Sequence, residues 1–231
     1  MTEVIQDKVS HERCGEAFNE KVFLEVRDLA QKAIYDVFSK LLSGLKEKEI
    51  VEMLDQTLFA MGAERLWHPT KVRIEKSTTK SFPETFDGEK TLEYGDLIFF
   101  DIGPVFNEHE GDYGETFIFA EDKKSDISSY AEKKHLVKFS KDLFFALKKE
   151  FQENHLTGVA LYQRAVDLSK EAGLEFNLRM GGHRLGDFPH ALYSKGKLKD
   201  MDFEPRSGLW ILEIHVINRG VGLGAFFEDL I

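Results

Sequence analysis

Apolar positions recur at helical spacing from residue 11 to residue 42 (Ala17, Val22, Val26, Leu29, Ala33, Val37, Leu41), and Gly44 closes the run as a C-terminal cap. The pattern predicts one long amphipathic helix. A second is predicted over 46–61, with Ile50, Leu54, Leu58 and Met61 on one side and Gly62 just beyond its end. The texture then changes. KVRIE (71–75), DLIFF (96–100) and ETFIFA (115–120) are rich in branched and aromatic residues and are bounded by polar, Gly- or Pro-containing stretches, which predicts strands. The same order follows once more: helices over 126–151 and 157–172, the latter ending at Gly173, then strands over 174–179, 209–218 and 223–229. FAMGAERLW (59–67) and SKEAGLEFN (169–177) echo one another, each reading helix, Ala/Gly punctuation, then an extended run. The echo hints at duplication, although helix ends resemble each other for local reasons as well. No low-complexity or Pro-rich linker divides the chain. The expectation is an α/β (α+β) unit over 1–231, made of pseudo-repeats at about 12–120 and 126–231 related by a pseudo-twofold axis, with strands inside and helices outside.

Composition narrows the class of partner. Among 231 residues, 31 are Lys or Arg and 41 are Asp or Glu, for a formal charge of −10. That balance disfavours a nucleic-acid backbone or an anionic membrane as the main partner. The start, MTEVIQDKVSHERC, has no basic segment followed by an apolar one, and no apolar run is long enough to cross a bilayer. Cys14 is the only cysteine, so an internal disulfide is excluded and a reducing cytoplasm is the expected location, with Cys14 on a helix face. The Lys-rich face of AEKKHLVKFSKDLFFALKKE is expected in solvent, and its pair Phe144 and Phe145 in the core. Trp67 and Trp210 could line a pocket, with core packing the plainer reading of both. GGHRLG lacks the strand-to-helix setting of a phosphate loop.

The chemistry lies in acidic and imidazole groups at strand ends or within apolar strands: Asp101, Asp112, His183, Glu213 and Glu228. Glu213 sits inside LWILEIHVI and Glu228 follows GAFF, where an unpaired carboxylate is costly to bury. Four carboxylates without neighbouring lysines repel one another, and one or two divalent cations between them keep all of them ionised. His183 could add a nitrogen ligand. The competing reading is that the aspartates are ordinary turn residues and that Glu213 faces solvent.

The order Asp101, ten residues, Asp112, a histidine after Gly, then two late-strand glutamates resembles the pita-bread metallopeptidases: methionine aminopeptidase, aminopeptidase P and prolidase. SGLKEKEI looks like that family's PG-T-E helix start, and the resemblance covers nearly the whole chain while omitting the extra N-terminal domain of prolidases and aminopeptidases P. It implies a pita-bread fold, with helix-helix-strand units around a curved antiparallel sheet. It also implies a two-metal centre in which Asp112 and Glu228 bridge, Asp101 holds one ion, and His183 with Glu213 holds the other. Oxygen-rich ligation with one imidazole suits Mn²⁺, Fe²⁺ or Co²⁺; Zn²⁺ is also admissible. The implied activity is metal-dependent aminopeptidase-like hydrolysis, removing the N-terminal residue of a peptide or dipeptide. A bridging hydroxide would attack, Glu213 would accept its proton, and His190 would stabilise the intermediate. Prolidase-like relatives often pair, so a homodimer is allowed.

The chain departs from the family in several places. The further histidine upstream of the first aspartate falls in KSFPETF, near Ser81 and Phe82, neither of which can act as imidazole does. The arginine of D-x-T-R-T becomes Glu115, and the one two residues before the last glutamate becomes Phe226. Three histidines offer compensation. His190, seven after His183, matches the family's substrate-contacting histidine. His215 shares the strand face of Glu213, so it points either into the site or into a hydrogen-bonded core. His68 precedes a strand that borders the family's substrate pocket, and with Phe82 it is a candidate substrate contact, although a surface loop is the plainer reading. His109 is expected to cap a loop. Two alternatives stay open: a binding protein that keeps the fold but has lost turnover at Phe82, and hydrolysis of a non-peptide C–N bond in a pocket reshaped by Phe82, Glu115 and Phe226.

Overall fold

Asn19 caps helix α1: its side-chain oxygen accepts the N–H groups of Lys21 and Val22, and α1 runs Glu20–Phe38. The computed structural model, which describes residues 10–84, 88–119 and 127–231, thus shortens the helix expected over 11–42 at both ends. Residues 12–15 are drawn to the far half of the chain. There Trp210 donates to Glu12, Arg184 to the Arg13 carbonyl, and the Gly15 N–H to Asp187. Cys14 sits against Arg184 in this docked strap and not on a helix face.

The other helices follow their predicted limits closely: α2 Glu47–Ala60, α3 Ile127–Asn154 and α4 Gly158–Glu171. The echo between the halves is physical at two helix ends. Gly62 N–H bonds to Phe59 and Ala63 N–H to Leu58, just as Gly173 N–H bonds to Lys170 and Leu174 N–H to Ser169. Both glycines have positive φ (100° and 74°), the left-handed closure that glycine allows without a Cβ penalty. The junction expected between the repeats, 120–126, lies outside the described residues.

Among the described residues, eight strands form one sheet: β1 Arg65–Ile74, β2 Leu97–Phe106, β3 His109–Glu110, β4 Tyr113–Ile118, β5 Glu175–Phe176, β6 His183–Arg184, β7 Trp210–Asn218 and β8 Leu223–Leu230. Their order is β1-β2-β4-β8-β7-β5, with β3 beside β2 and β6 beside β7, every pair antiparallel. The strand expected over 174–179 is cut to two residues because the chain turns at Asn177, whose carbonyl accepts the Met180 N–H.

Strand alternation separates packing from chemistry. Phe100, Ile102, Leu212, Ile214 and Phe227 join residues of α1, α2, α3 and α4, among them Ile34, Leu54, Phe144 and Leu161, in one apolar cluster. The residues between them, Asp101, Glu213 and Glu228, necessarily face the other side. Phe144 is fully buried against Phe227, whereas Phe145 is 53% exposed, so only one of that expected core pair is in the core. Among the described residues, no helix is long and apolar enough to cross a membrane.

Candidate metal centre

Ladder register assembles the site. Asp101 of β2 pairs with Gly114 of β4, Gly114 with Glu228 of β8, and Glu228 with Glu213 of β7. Cross-strand partners share a face, so three carboxylates line up across the sheet. Gly114 keeps the middle of that row open: a Cβ there would lie 2.6 Å from Glu228 Oε1 and would overlap the Phe226 ring. Gly114→Ala is therefore expected to cost about 1–3 kcal/mol through overpacking and to weaken metal retention. Thermal melts and elemental analysis of the variant check both effects.

Asp112 lies two residues before Gly114 and reaches the row through the β2–β3 hairpin. Its two-residue turn, Asn107 and Glu108, has φ of 49° and 58° between paired Phe106 and His109. His109 ties this hairpin to α1, accepting the Asn19 N–H at 2.9 Å. His183 enters from β6 opposite Ile211, with Nε2 2.9 Å from Asp112 Oδ2 and Nδ1 donating to the Arg184 carbonyl at 3.0 Å. His68, on β1, places Nε2 3.5 Å from both Asp101 Oδ1 and Asp112 Oδ1. The five residues expected as ligands all line one cleft of about 370 Å³, together with His68, His190, Trp67, Phe82 and Met180.

The donors suit a divalent cation. Asp112 and Glu228 are each 1% exposed, yet both oxygens of Asp112 and Oε1 of Glu228 accept no well-formed hydrogen bond from the described residues. Buried carboxylate oxygens without donors are rare and costly. Electrostatics gives the same result. Burial pushes Asp101 up to about 7, although the neighbouring His68 counters it. Burial also raises Glu228 well above the carboxylate range, helped by repulsion from Asp112, Asp101 and Glu213. Glu213 is raised by burial against the opposing pull of His183. Asp112 is lowered, because His183 and His68 outweigh its burial. In turn His183, despite burial, is pushed up to about 9 by Asp112. Without a cation the cluster must retain protons; a divalent ion takes their place.

The remaining expected residues divide. His190 faces the cleft and is held by Glu110, which accepts its Nδ1–H at 2.8 Å and its backbone N–H at 2.9 Å. Phe82 lines the cleft with its ring 5.2 Å from that of His68. His68 is buried, not on a surface loop. His215 is a correction: it shares the face of Glu213 but does not line the cleft. Its Nε2 lies 2.8 Å from the Thr78 carbonyl and its Nδ1 2.9 Å from the Asn177 amide, and burial lowers it to about 4. Glu115 faces the helices, bonded to Tyr35, Tyr113 and Lys141, and Phe226 packs on Phe99, so neither reshapes the cleft. Of the two tryptophans open to either pocket or core, Trp210 is in the core and Trp67 is a wall of the cleft. Its ring lies 5.1 Å from His183 and 5.2 Å from His190. Glu110 has no signal in the sequence, since NEHEGDYG reads as polar loop throughout.

Helices on one face of a large antiparallel sheet and a row of carboxylates with imidazoles on the other define the pita-bread class. The chain belongs to Metallopeptidase family M24, whose pattern matches residues 21–231. It is 24% identical over 91 residues to the Xaa-Pro dipeptidase of Pyrococcus furiosus; the match takes in 39% of this chain and 26% of that protein. Its fold is similar to that of X-Pro aminopeptidase from Thermotoga maritima, with a TM-score of 0.73, 18% identity, and coverage of 97% of this chain and 61% of the other. Methionine aminopeptidase from Thermotoga maritima is similar with a TM-score of 0.66 and 16% identity, over 89% of this chain and 88% of the other. At these identities the structural likeness is one of fold.

Proposed function

We propose that the chain is a dinuclear metal-dependent peptidase that removes the N-terminal residue of a peptide or dipeptide. The observation that carries this reading is the convergence of three buried carboxylates, the half-buried Glu213 and His183 on one sheet face, with oxygens of Asp112 and Glu228 that accept no well-formed hydrogen bond from the described residues. Asp112 and Glu228 would be shared by two divalent ions, with Asp101 holding one of them and His183 with Glu213 the other. Mn²⁺, Fe²⁺ or Co²⁺ suits this donor set. A pair of such ions supplies Lewis-acid polarisation of the scissile carbonyl and a nucleophile available at neutral pH.

The chain's own residues supply the rest. Glu213, one oxygen of which is held by the Gly182 N–H, accepts the proton released as the amide is attacked. His190 has Nδ1 committed to Glu110, which leaves Nε2 for the carbonyl oxygen of the substrate. Trp67 and Phe82 wall the cleft and limit water around the reacting bond. His190→Ala is expected to lower kcat by about 10²–10³-fold, the cost of losing one oxyanion donor, with metal content unchanged. Elemental analysis run beside the kinetics checks both halves. A cytoplasmic location and a homodimer are part of the same proposal.

Screening Xaa-Pro dipeptides and Met-initiated peptides with the Mn²⁺-, Fe²⁺- and Co²⁺-loaded protein, and reading release of the free N-terminal amino acid, tests this function. One second reading has a specific observation behind it. Phe82 stands in the cleft, and by the family resemblance it or Ser81 lies near the upstream histidine of the peptidases, which favours a fold kept for peptide binding. Two ions bound, a peptide bound and no amino acid released from any substrate would select that reading.

A further inference from the structure

β1 brings a second imidazole to the carboxylate row. The donor atoms of His68, Asp101 and Asp112 all lie within 4.8 Å of one another, and Nε2 of His68 is 3.5 Å from each aspartate. That distance is too long for a good hydrogen bond. It equals the edge of a tetrahedron of ligands bound at ~2.0–2.2 Å, which is about 3.3–3.6 Å. The other ring nitrogen is committed, because Nδ1 lies 3.0 Å from the Pro69 carbonyl, which can only accept. Nδ1 therefore carries the proton, and Nε2 is turned toward the aspartates. His183 is arranged in the same way, with Nδ1 on the Arg184 carbonyl and Nε2 on Asp112. A backbone carbonyl on the far nitrogen is the usual orienting device of metal-binding imidazoles.

The sheet makes room for this ring. The β1–β2 register breaks on both sides of His68, between Leu66 and His68 and again between His68 and Lys71. Such irregularities re-aim a side chain. Opposite His68 stands Gly103, where a Cβ would run into the His68 ring and lie 2.6 Å from Trp67 Nε1.

We infer, on the premise of the two-ion centre proposed above, that His68 is a sixth protein ligand and binds the ion held by Asp101. Each ion then has one imidazole, His183 on one and His68 on the other. The Asp101 ion gains an N,O donor set in place of an all-oxygen one, which favours Fe²⁺, Co²⁺ or Zn²⁺ over Mn²⁺ at that position.

Calorimetric titration of the metal-free full chain with Co²⁺, followed by proton NMR of the loaded protein, tests the assignment. Wild type is expected to bind two Co²⁺ and to show two exchangeable, paramagnetically shifted imidazole N–H signals. His68→Ala is expected to bind one Co²⁺ as before and the other at least about 100-fold more weakly, and to lose one of the two signals. Gly103→Ala, which keeps the imidazole but displaces it, is expected to weaken the same ion, and melting of the metal-free variants shows that they are folded. Two ions bound by folded His68→Ala with wild-type affinity would overturn the assignment and leave His68 a substrate contact. Wild type that binds no Co²⁺ would instead remove the two-ion centre itself, and this assignment with it.

Discussion

Asp112→Ala is expected to hold neither ion and to hydrolyse peptides about three orders of magnitude more slowly or worse, the loss of several kcal/mol of metal-derived charge stabilisation. Asp112 is the residue on which both halves of the site depend. His183 Nε2 meets one of its oxygens at 2.9 Å, and His68 Nε2 approaches the other at 3.5 Å. Both oxygens are buried and without well-formed hydrogen bonds, so nothing else in the described structure compensates their charge. Removing the carboxylate takes a ligand from each proposed ion at once and leaves three carboxylates to repel one another. Elemental analysis of protein purified without chelator, together with initial rates on a cleaved peptide, measures both effects. Wild-type metal content in the variant would contradict the bridging role.

The metal-free protein is expected to lose stability as pH rises from about 6.5 to about 9, while the metal-loaded protein does not. His183 and His68 bind their protons more tightly folded than unfolded, as do Asp101, Glu213 and Glu228. A raised folded-state pKa contributes stability that is complete below the unfolded value and disappears as pH climbs through the folded one. For His183 the window runs from 6.5 to about 9, on the order of 3 kcal/mol. Asp101 adds to the lower part of that window, being pushed up to about 7. Two groups work in the opposite sense but elsewhere. The contribution of Asp112 is lost only as pH falls through its lowered value, and that of His215 as pH falls from 6.5 toward about 4. Metal binding expels the retained protons and stabilises by mass action, so the rise in Tm on adding Mn²⁺ grows with pH. Melts near pH 6.5, 7.5 and 9, with and without Mn²⁺, test this; a metal-free Tm that climbs across the window contradicts it.

Much of this architecture could be read from the sequence because alternation is a strict code. In LWILEIHVI, Glu213 is legible as an exception on an apolar strand, and the parity that carries Leu212 and Ile214 to the helices carries Glu213 to the site. The same parity nominated His215, and there it failed. Parity fixes a face and not a distance along the strand, and two residues on from Glu213 that face meets Thr78 and Asn177 in place of the cleft. Helical spacing over 11–42 failed for a related reason. Apolar periodicity shows that one side of a segment is buried, but residues 12–15 are tied down by hydrogen bonds to long-range partners such as Asp187 and Arg184, which no local pattern reveals. Glu110 was illegible because its role comes from the β2–β3 hairpin, which brings it against His190, whereas Trp67, legible as a residue of either pocket or core, is placed in the cleft wall by β1. His68 was visible as a histidine near a pocket strand, but its aim depends on two register breaks that leave no mark in the residue types.

The measurement that bears most directly on the central claim is anomalous diffraction from crystals of the Mn²⁺-loaded protein, collected on either side of the manganese edge. Two peaks about 3.5–4 Å apart, lying between Asp112 and Glu228, with Asp101 at one and His183 and Glu213 at the other, are the predicted result. No peak among these carboxylates in fully loaded protein, with their oxygens hydrogen-bonded to water or to one another, would contradict the two-metal centre.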